Sequence, residues 1–348
     1  MKLFKRKDDK KTEAEKVEAR REEVLAKGRK FKYPLQWTRH RVVINTILVS
    51  IITIVLLFVG GWFALYRLNM TDDLLFRVTK IIPTPVASVD SENVRFSDYL
   101  MFYRSSVTSF KRQSSSQFEN EEIRDDLLAE YKRTALNEAE SYAYALKLAR
   151  ELDLKVDDSE IDSEFERHRK VGGIDRSEEG FVKIIEDNFG LSKSEYRRML
   201  YLALIKAKVE NKIDESASET ASAVEKALAE NGSDFKAVAE SFGEKIIYEE
   251  TGGLVDGRNV DGGRASEALK LEPGESSGKF VSMNGDGYYF VKLIKKTETE
   301  VNFVSIHVPF TEFNSRFSAL REEGKIKEYI NLPDPSSEPN NPVEAPED

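Results

Sequence analysis

The sequence predicts an α+β protein: a single transmembrane helix, a mainly helical body beyond it, and a small lobe built on a four-stranded antiparallel sheet with helices. Three observations predict this. Residues 42–66 contain no charged side chain, although the chain as a whole is 33% charged. After residue 121, apolar residues recur for long stretches at steps of three or four, the period of a helix with one buried face. After Ile213 glycine becomes frequent, and short β-branched and aromatic runs replace the helical pattern.

The apolar run, VVINTILVSIITIVLLFVGGWFALY, comprises 25 residues. As a helix it spans about 37 Å at roughly 1.5 Å per residue, enough to cross a hydrocarbon core of about 30 Å with some tilt. Its polar members Asn45, Ser50 and Thr53 are few, and Trp62 and Tyr66 stand where an interfacial aromatic belt is expected. A buried soluble helix is the alternative. A cleaved signal peptide would have a shorter apolar region and a small-residue cleavage site, which does not follow. Charge then sets the orientation. Residues 1–41 carry 15 Lys+Arg against 7 Asp+Glu, whereas everything after Tyr66 carries 38 against 55. The basic side faces the cytoplasm, so the C-terminal portion is expected to be extracytoplasmic on a single-pass plasma-membrane protein. The arm at 1–41 has almost no apolar periodicity and reads as a solvated basic segment near anionic lipid rather than a nucleic-acid tail.

Beyond the membrane run, 67–84 is expected to be a linker with a short helix around 71–79, ended by Pro83 and Pro85. PVASVDSENVRFSDYLMFY reads as a strand, a turn at Asp90-Ser91-Glu92-Asn93, a second short strand and a helix capped by Ser97. From Glu121, the residues Ile123, Leu127, Tyr131, Ala135, Ala139, Tyr142, Leu146 and Ala149 form one helical face. Asp157 with Glu160, and Ser192 with Glu195, have capping-box spacing at two further helix starts. Residues 85–213 are thus one helical domain. In 214–310, helices at about 218–231 and 234–242 precede IIYEE, a glycine-rich TGGLVDGRNVDGG, a short helical SEALKL and a turn at Pro273-Gly274. Three strand-like runs follow, KFVSM, YYFVKLIKK and VNFVSIHVPF. The stretch 311–332 is expected to supply a helix that packs back on the helical domain. The last sixteen residues, with five prolines, five acids and no base, cannot bury a core and are expected to be disordered.

Composition narrows the chemistry. With no cysteine there is no disulfide, thiolate nucleophile or cysteine-bound metal, and three histidines far apart leave little for a metal centre. A net charge of −9 argues against a nucleic-acid binder. GGLVDG and GDG lack a following Gly-Lys-Ser/Thr and read as turns. Asp157-Asp158 reads as helix-cap chemistry, and His168, in EFERHRK, as a solvated helix residue. No cofactor and no metal are implied.

The residues from roughly 85 to 330 resemble the extracytoplasmic SurA/PrsA/PpiD-type folding factors. VASVDSENVRFSDYLMFY is similar to their opening strand, "V-N-G-x-x-I" and helix. ALKLARELDLKVDDSEID is similar to "A-x-x-x-G-I-x-V-S-D-x-E-I", and FGLSKSEYRRMLYLALIKAKV to "G-L-S-x-E-x-F-R-x-x-L". The second lobe resembles a parvulin-type peptidyl-prolyl isomerase domain. SDFKAVAESFG, TGG, LEPGESS and GYYFVKL stand for "x-D-F-x-x-L-A-x-x-Y-S", "x-G-G-D-L-G", "L-K-x-G-E-I-S" and "G-Y-H-I-I-K-L". The opening "A-R-H-I-L" strand is missing, since DESA stands in its place. VNFVSIHVPF fits it from the other end of the lobe, with His307 at the motif's histidine and YYFVKLIKK as its antiparallel neighbour. The resemblance therefore implies a circularly permuted, degenerate parvulin-like lobe. A strand histidine without a role is the other reading of His307.

Departures from the pattern weaken catalysis. Tyr289 stands at the second histidine, Arg264 or Ala265 at the position of an apolar Phe, and the family's acidic or cysteine position falls near Glu244 or Lys245. The expected catalytic pair is His307 and Tyr289. Client-binding candidates are Phe102, Tyr103, Phe110, Phe118, Leu254, Phe280 and Met283. The resemblance implies a membrane-anchored chaperone that holds unfolded or newly translocated polypeptides, with the bilayer contacted through 42–66. Its alternatives are an active isomerase of the same architecture, and a non-catalytic scaffold with a translocon or envelope partner.

Overall fold

The computed structural model describes residues 12–230 and 234–332, so the expected disorder of 333–348 and the first residues of the basic arm lie outside the described residues. The chain divides into two units, one ending at Ala64 and one beginning at Leu65. Helix α1 (Glu13–Tyr66) takes in the basic arm from Glu13 onward. The arm shows no amphipathic pattern because its described side chains are exposed and none needs a buried face. Its Ala, Glu, Lys and Arg are strong helix formers, and pairs such as Glu23–Lys27 at 3.1 Å add i,i+4 support. His40–Tyr66 has a mean hydropathy of 2.9 and is long and apolar enough to cross a membrane. The Thr46 and Thr53 hydroxyls donate to the carbonyls of Val42 and Val49 at 2.9 Å, so these polar groups are satisfied within the helix.

The second unit begins with α2 (Asp73–Ile81), then β1 (Pro85–Val89) and β2 (Glu92–Arg95). The hairpin turn puts Asp90 and Ser91 at φ 46° and 71°, a left-handed pair that short polar residues tolerate. Helix α3 (Phe96–Gln113) starts one residue before the expected cap. Phe96, 1% exposed, is drawn into the core, and its N–H donates to the Thr84 carbonyl at 2.9 Å, which leaves Ser97 buried inside the first turn. After α4 (Ser115–Glu119) comes the long α5 (Glu121–Glu151). Its buried stripe begins at Ala135; Ile123, two turns or more upstream, is 43% exposed, so the apolar face outruns the core. Helix α6 (Asp158–Arg169) and, after α7 (Glu178–Phe189), helix α8 (Lys193–Ile213) both open on the expected capping boxes. Tyr99, Leu100, Leu136, Leu202 and Ile205 are at the centre of this helical core.

The lobe follows. Helices α9 (Glu215–Glu230) and α10 (Phe235–Phe242) cover one face of a sheet, and α11 (Arg264–Leu269) packs on the other. The strands are β3 (Ile247–Glu250), β4 (Val255–Asp256), β5 (Phe280–Val281), β6 (Gly287–Lys296) and β7 (Glu300–Pro309). Four antiparallel strands run in the order β3-β7-β6-β5, and the two-residue β4 adds a fifth by pairing with the start of β7. Helix α12 (Glu312–Glu322) and β8 (Ile326–Glu328) then return to the helical core, where β8 pairs with β1 to make the three-stranded sheet β2-β1-β8.

Candidate functional site

Alternation along the two longest strands decides what the lobe presents. Tyr288, Phe290, Ile306 and Val308 face α9 and α10, whereas Val291, Leu293 and Phe303 face α11. Tyr289 and His307 fall on the α11 side. They are directly opposed in the β6–β7 register, and their rings stack with centroids 4.3 Å apart at 12°. A Cβ on Gly287 would lie 2.2 Å from the Val308 carbonyl and 2.6 Å from His307 Nε2, so glycine is what allows β7 to close over this corner. His307 Nε2 lies 3.0 Å from the Asp286 carbonyl, to which it donates, and the Tyr289 hydroxyl donates to Asp286 Oδ2 at 3.1 Å. Burial pushes the phenol's pKa well above its usual value, and the Asp286 carboxylate pushes it further. Tyr289 is therefore a neutral hydrogen-bond donor at any physiological pH.

Beside this pair lies a depression of about 400 Å³ lined by Glu249, Thr251, Asp261, Arg264, Phe303 and Ser305 among others. Arg264, the first residue of α11, dominates it. Its guanidinium sits 4.9 Å over the Tyr289 ring, is paired with Glu249 of β3, and donates to the Asp261 carbonyl at 2.9 Å. Of the two neighbours Arg264 and Ala265, Ala265 is fully buried and Arg264 is the one that lines the depression. Glu249, Glu250 and Asp261 are the acidic residues that line the depression. Glu244 and Lys245 lie earlier, in the 3-10 turn Gly243–Lys245. Among the client-binding candidates, Phe280 stacks on Tyr289 at 6.1 Å, and Met283, 46% exposed, packs over Gly263. Leu254 is not brought to this cluster: it precedes β4, which pairs with Val301, six residues or about 20 Å of strand from His307. Asp286, Arg264 and Glu249 as a set were not found from sequence, because only the strand register brings them together.

The four aromatic candidates of the helical body divide into two pairs. Phe102 and Tyr103 are 3% and 7% exposed; Phe102 stacks on Tyr142 at 5.3 Å and Tyr103 on Tyr99 at 6.5 Å. Both belong to the core and offer no surface to a client. Phe110 and the half-buried Phe118, 6.0 Å apart, are different. Phe110 helps line a groove of about 500 Å³ with Leu127, Tyr131 and Phe189 on its apolar side and Ser109 and Gln113 on its polar side. Rings for side chains, with hydroxyls and amides for backbone groups, are what a segment of extended polypeptide needs. His168 is not a solvated residue: one ring nitrogen lies 2.6 Å from the Tyr196 hydroxyl and the other 3.1 Å from Glu164. Among the described residues no group of three His, Asp or Glu side chains could hold a metal ion.

A family model described as the SurA-like N-terminal domain matches residues 35–210, half of the chain. The chain belongs to the SurA-like family. No curated protein and no solved structure matches it. Membership of this chaperone family implies that the protein binds unfolded polypeptides. The SurA-like body also draws on residues outside the match. Phe313, Leu320, Ile330 and Leu332 are buried in the same core as Tyr99 and Leu136. Arg133 of α5 holds Glu328 of β8 with both oxygens at 2.7 Å, and Arg321 of α12 reaches the fully buried Glu140 of α5 at 2.6 Å. Burial pushes the Glu140 carboxyl up to about 7, against the attraction of Arg321.

Proposed function

We propose that the chain is a membrane-anchored extracytoplasmic holdase whose SurA-like body, 85–213 together with 311–332, carries a permuted parvulin-like lobe at 214–310 that has lost isomerase activity. Anchoring and orientation follow from the apolar run at 42–66 and the basic arm before it. The permutation is supported by β7, which lies antiparallel to β6 and sets His307 against Tyr289. One observation carries the loss of catalysis. Prolyl isomerisation must lower a barrier of about 18–20 kcal/mol by seating the ring in an apolar pocket and desolvating the amide. At that place this lobe has the Arg264–Glu249 ion pair. A pyrrolidine ring would have to displace or bury those charges, which costs binding energy instead of supplying it.

Holding is assigned to the groove of α3, α4, α5 and α7, where Phe110 and Tyr131 meet at 5.7 Å. The deciding experiment measures cis–trans interconversion of a proline-containing peptide, and aggregation of an unfolded client, with the same protein. Suppressed aggregation near stoichiometric amounts with unchanged interconversion is expected. Acceleration of the peptide by wild type that is lost in His307→Ala would make the lobe a working isomerase. Neither effect, with one fixed protein co-purifying, would make the chain a scaffold.

A further inference from the structure

Helix α2 has two apolar faces. One belongs to the core: Phe76 is 3% exposed and Thr79 1%. The other is in the open, with Leu74 at 71% exposed, Val78 at 39% and Ile81 at 81%. These three stand at i, i+4 and i+7, a single stripe along two turns, continued by Ile82 after the helix and preceded by Leu68 and Met70. A contiguous apolar strip of this kind on a folded surface marks a contact with something apolar.

The residues before the helix identify that contact. The apolar run ends at Leu65 and Tyr66, and both belong to the folded body. Leu65 is buried at 4% exposed, the Tyr66 hydroxyl donates to the Pro85 carbonyl at 2.6 Å, and its ring meets Phe96 edge-on at 5.7 Å. The chain thus leaves the apolar run already attached to the body, and Leu74 follows eight residues later. Arg67 and Arg77 are exposed next to Leu68 and Val78 in the sequence, where lipid phosphates would be met, while of the exposed Asp72 and Asp73 at the helix start Asp73 is paired with Arg104 at 3.0 Å. Apolar stripe, flanking cations and attachment to a span form the pattern of an interfacial helix. The exposed Leu254 and Met283 of the lobe have no such continuity.

We propose that the Leu74–Val78–Ile81 face of α2 lies in the headgroup–acyl boundary of the leaflet from which Tyr66 emerges, so that the SurA-like body rests on the bilayer. The inference rests on the reading that 42–66 spans the membrane. Because the chain has no cysteine, single labels test both statements in the full-length protein. Leu74→Cys, Ile81→Cys, Ile52→Cys and, as a solvent control, Lys226→Cys would be labelled with bimane and placed in phosphatidylethanolamine–phosphatidylglycerol vesicles. Nitroxide lipids labelled near the headgroup or deep in the chain serve as quenchers. The shallow quencher should act at least about threefold more strongly at 74 and 81 than at 226, and there outdo the deep one, since interfacial helices sink only about 5–10 Å. At 52 the deep quencher should dominate. Deep quenching at 52 with 74 and 81 behaving like 226 would overturn the inference and leave the span standing. No lipid quenching at 52 would remove the span and the inference with it. Shielding of 74 and 81 from aqueous iodide without lipid quenching would mean that protein covers the stripe, which also overturns it.

Discussion

Asp214 is the residue whose loss should cost the fold most for its size. It is 1% exposed at the point where α8 ends. Its Oδ1 accepts from the Ala217 N–H at 2.8 Å, and its Oδ2 accepts from the Thr311 and Glu312 N–H groups at 2.7 and 3.0 Å. One carboxylate therefore caps α9 and the start of α12, the chain's exit to the lobe and its return. Asp214→Ala leaves three N–H donors without their acceptor, that of Ala217 buried and those of Thr311 and Glu312 partly buried. Hydrogen bonds to a charged group contribute about 1.5–3 kcal/mol each, and partial relaxation recovers some of that, so a loss of about 4 kcal/mol is expected. In a folded unit of this size that corresponds to a fall in Tm of about 10 °C. Asp214→Asn keeps one acceptor oxygen and should lose about half as much. The assay is urea unfolding of the detergent-solubilised chain followed by circular dichroism. A loss below about 1 kcal/mol in the alanine variant, the ordinary cost of a surface cap, would refute the double-cap account.

Three further outcomes follow from the geometry. Glu140 has its carboxyl pKa raised by burial from 4.5 to about 7, so the folded state prefers the protonated form: the stability this contributes is complete below pH 4.5 and fades as pH rises to about 7. Glu140→Gln should flatten the pH dependence of the urea midpoint across that window, and an unchanged slope would count against the assignment. Tyr131→Ala, which opens the groove beside Phe110, should raise the amount of chaperone needed to prevent client aggregation severalfold while leaving the fold intact; equal potency would move the client site elsewhere. Protease added to the extracytoplasmic side of cells, after any outer barrier is opened, should digest the portion after Tyr66 and spare the basic arm, and protection of the large portion would reverse the orientation.

What could be read in advance was local. The charge-free run, the two capping boxes and the long β6–β7 hairpin all lie within short windows, and each rests on chemistry between near neighbours. What could not be read depended on distance along the chain. β8 pairs with β1 from the far end of the folded body's sequence, and its three residues, within KIKEYI, carry no signal of a partner so remote. Ser97 was displaced as a cap because Phe96 had a place in the core, which no cap rule weighs. In the lobe the placing of the His307 strand beside the Tyr289 strand was legible from the hairpin, but the Arg264–Glu249 pair was not. Whether Arg264 or Ala265 faces the sheet depends on a one-residue offset, and Glu249 reaches Arg264 only through the β3–β7 register, which sets Glu249 opposite Ser305.

The place of the lobe in the chain bears on the proposed permutation. A domain placed between two helices of another must receive and return the chain at nearly one point, or the host core is pried apart. Here the two points are joined through a single side chain, since Asp214 bonds Ala217 on the way out and Thr311 on the way back. In an unpermuted parvulin-like order the histidine strand would come first and the closing strand last. On the proposed permutation the lobe opens with α9 and closes with β7, and the Phe310 N–H, just past that strand, donates to the Asp286 carbonyl at 3.0 Å, so the strand's exit is fixed by the same turn that holds His307 and Tyr289. On that proposal the strand that carries the motif's histidine also returns the chain to α12. On this account His307 and its strand are retained for the connection they make, and a strand under that constraint can persist after the proline seat beside it has become an ion pair.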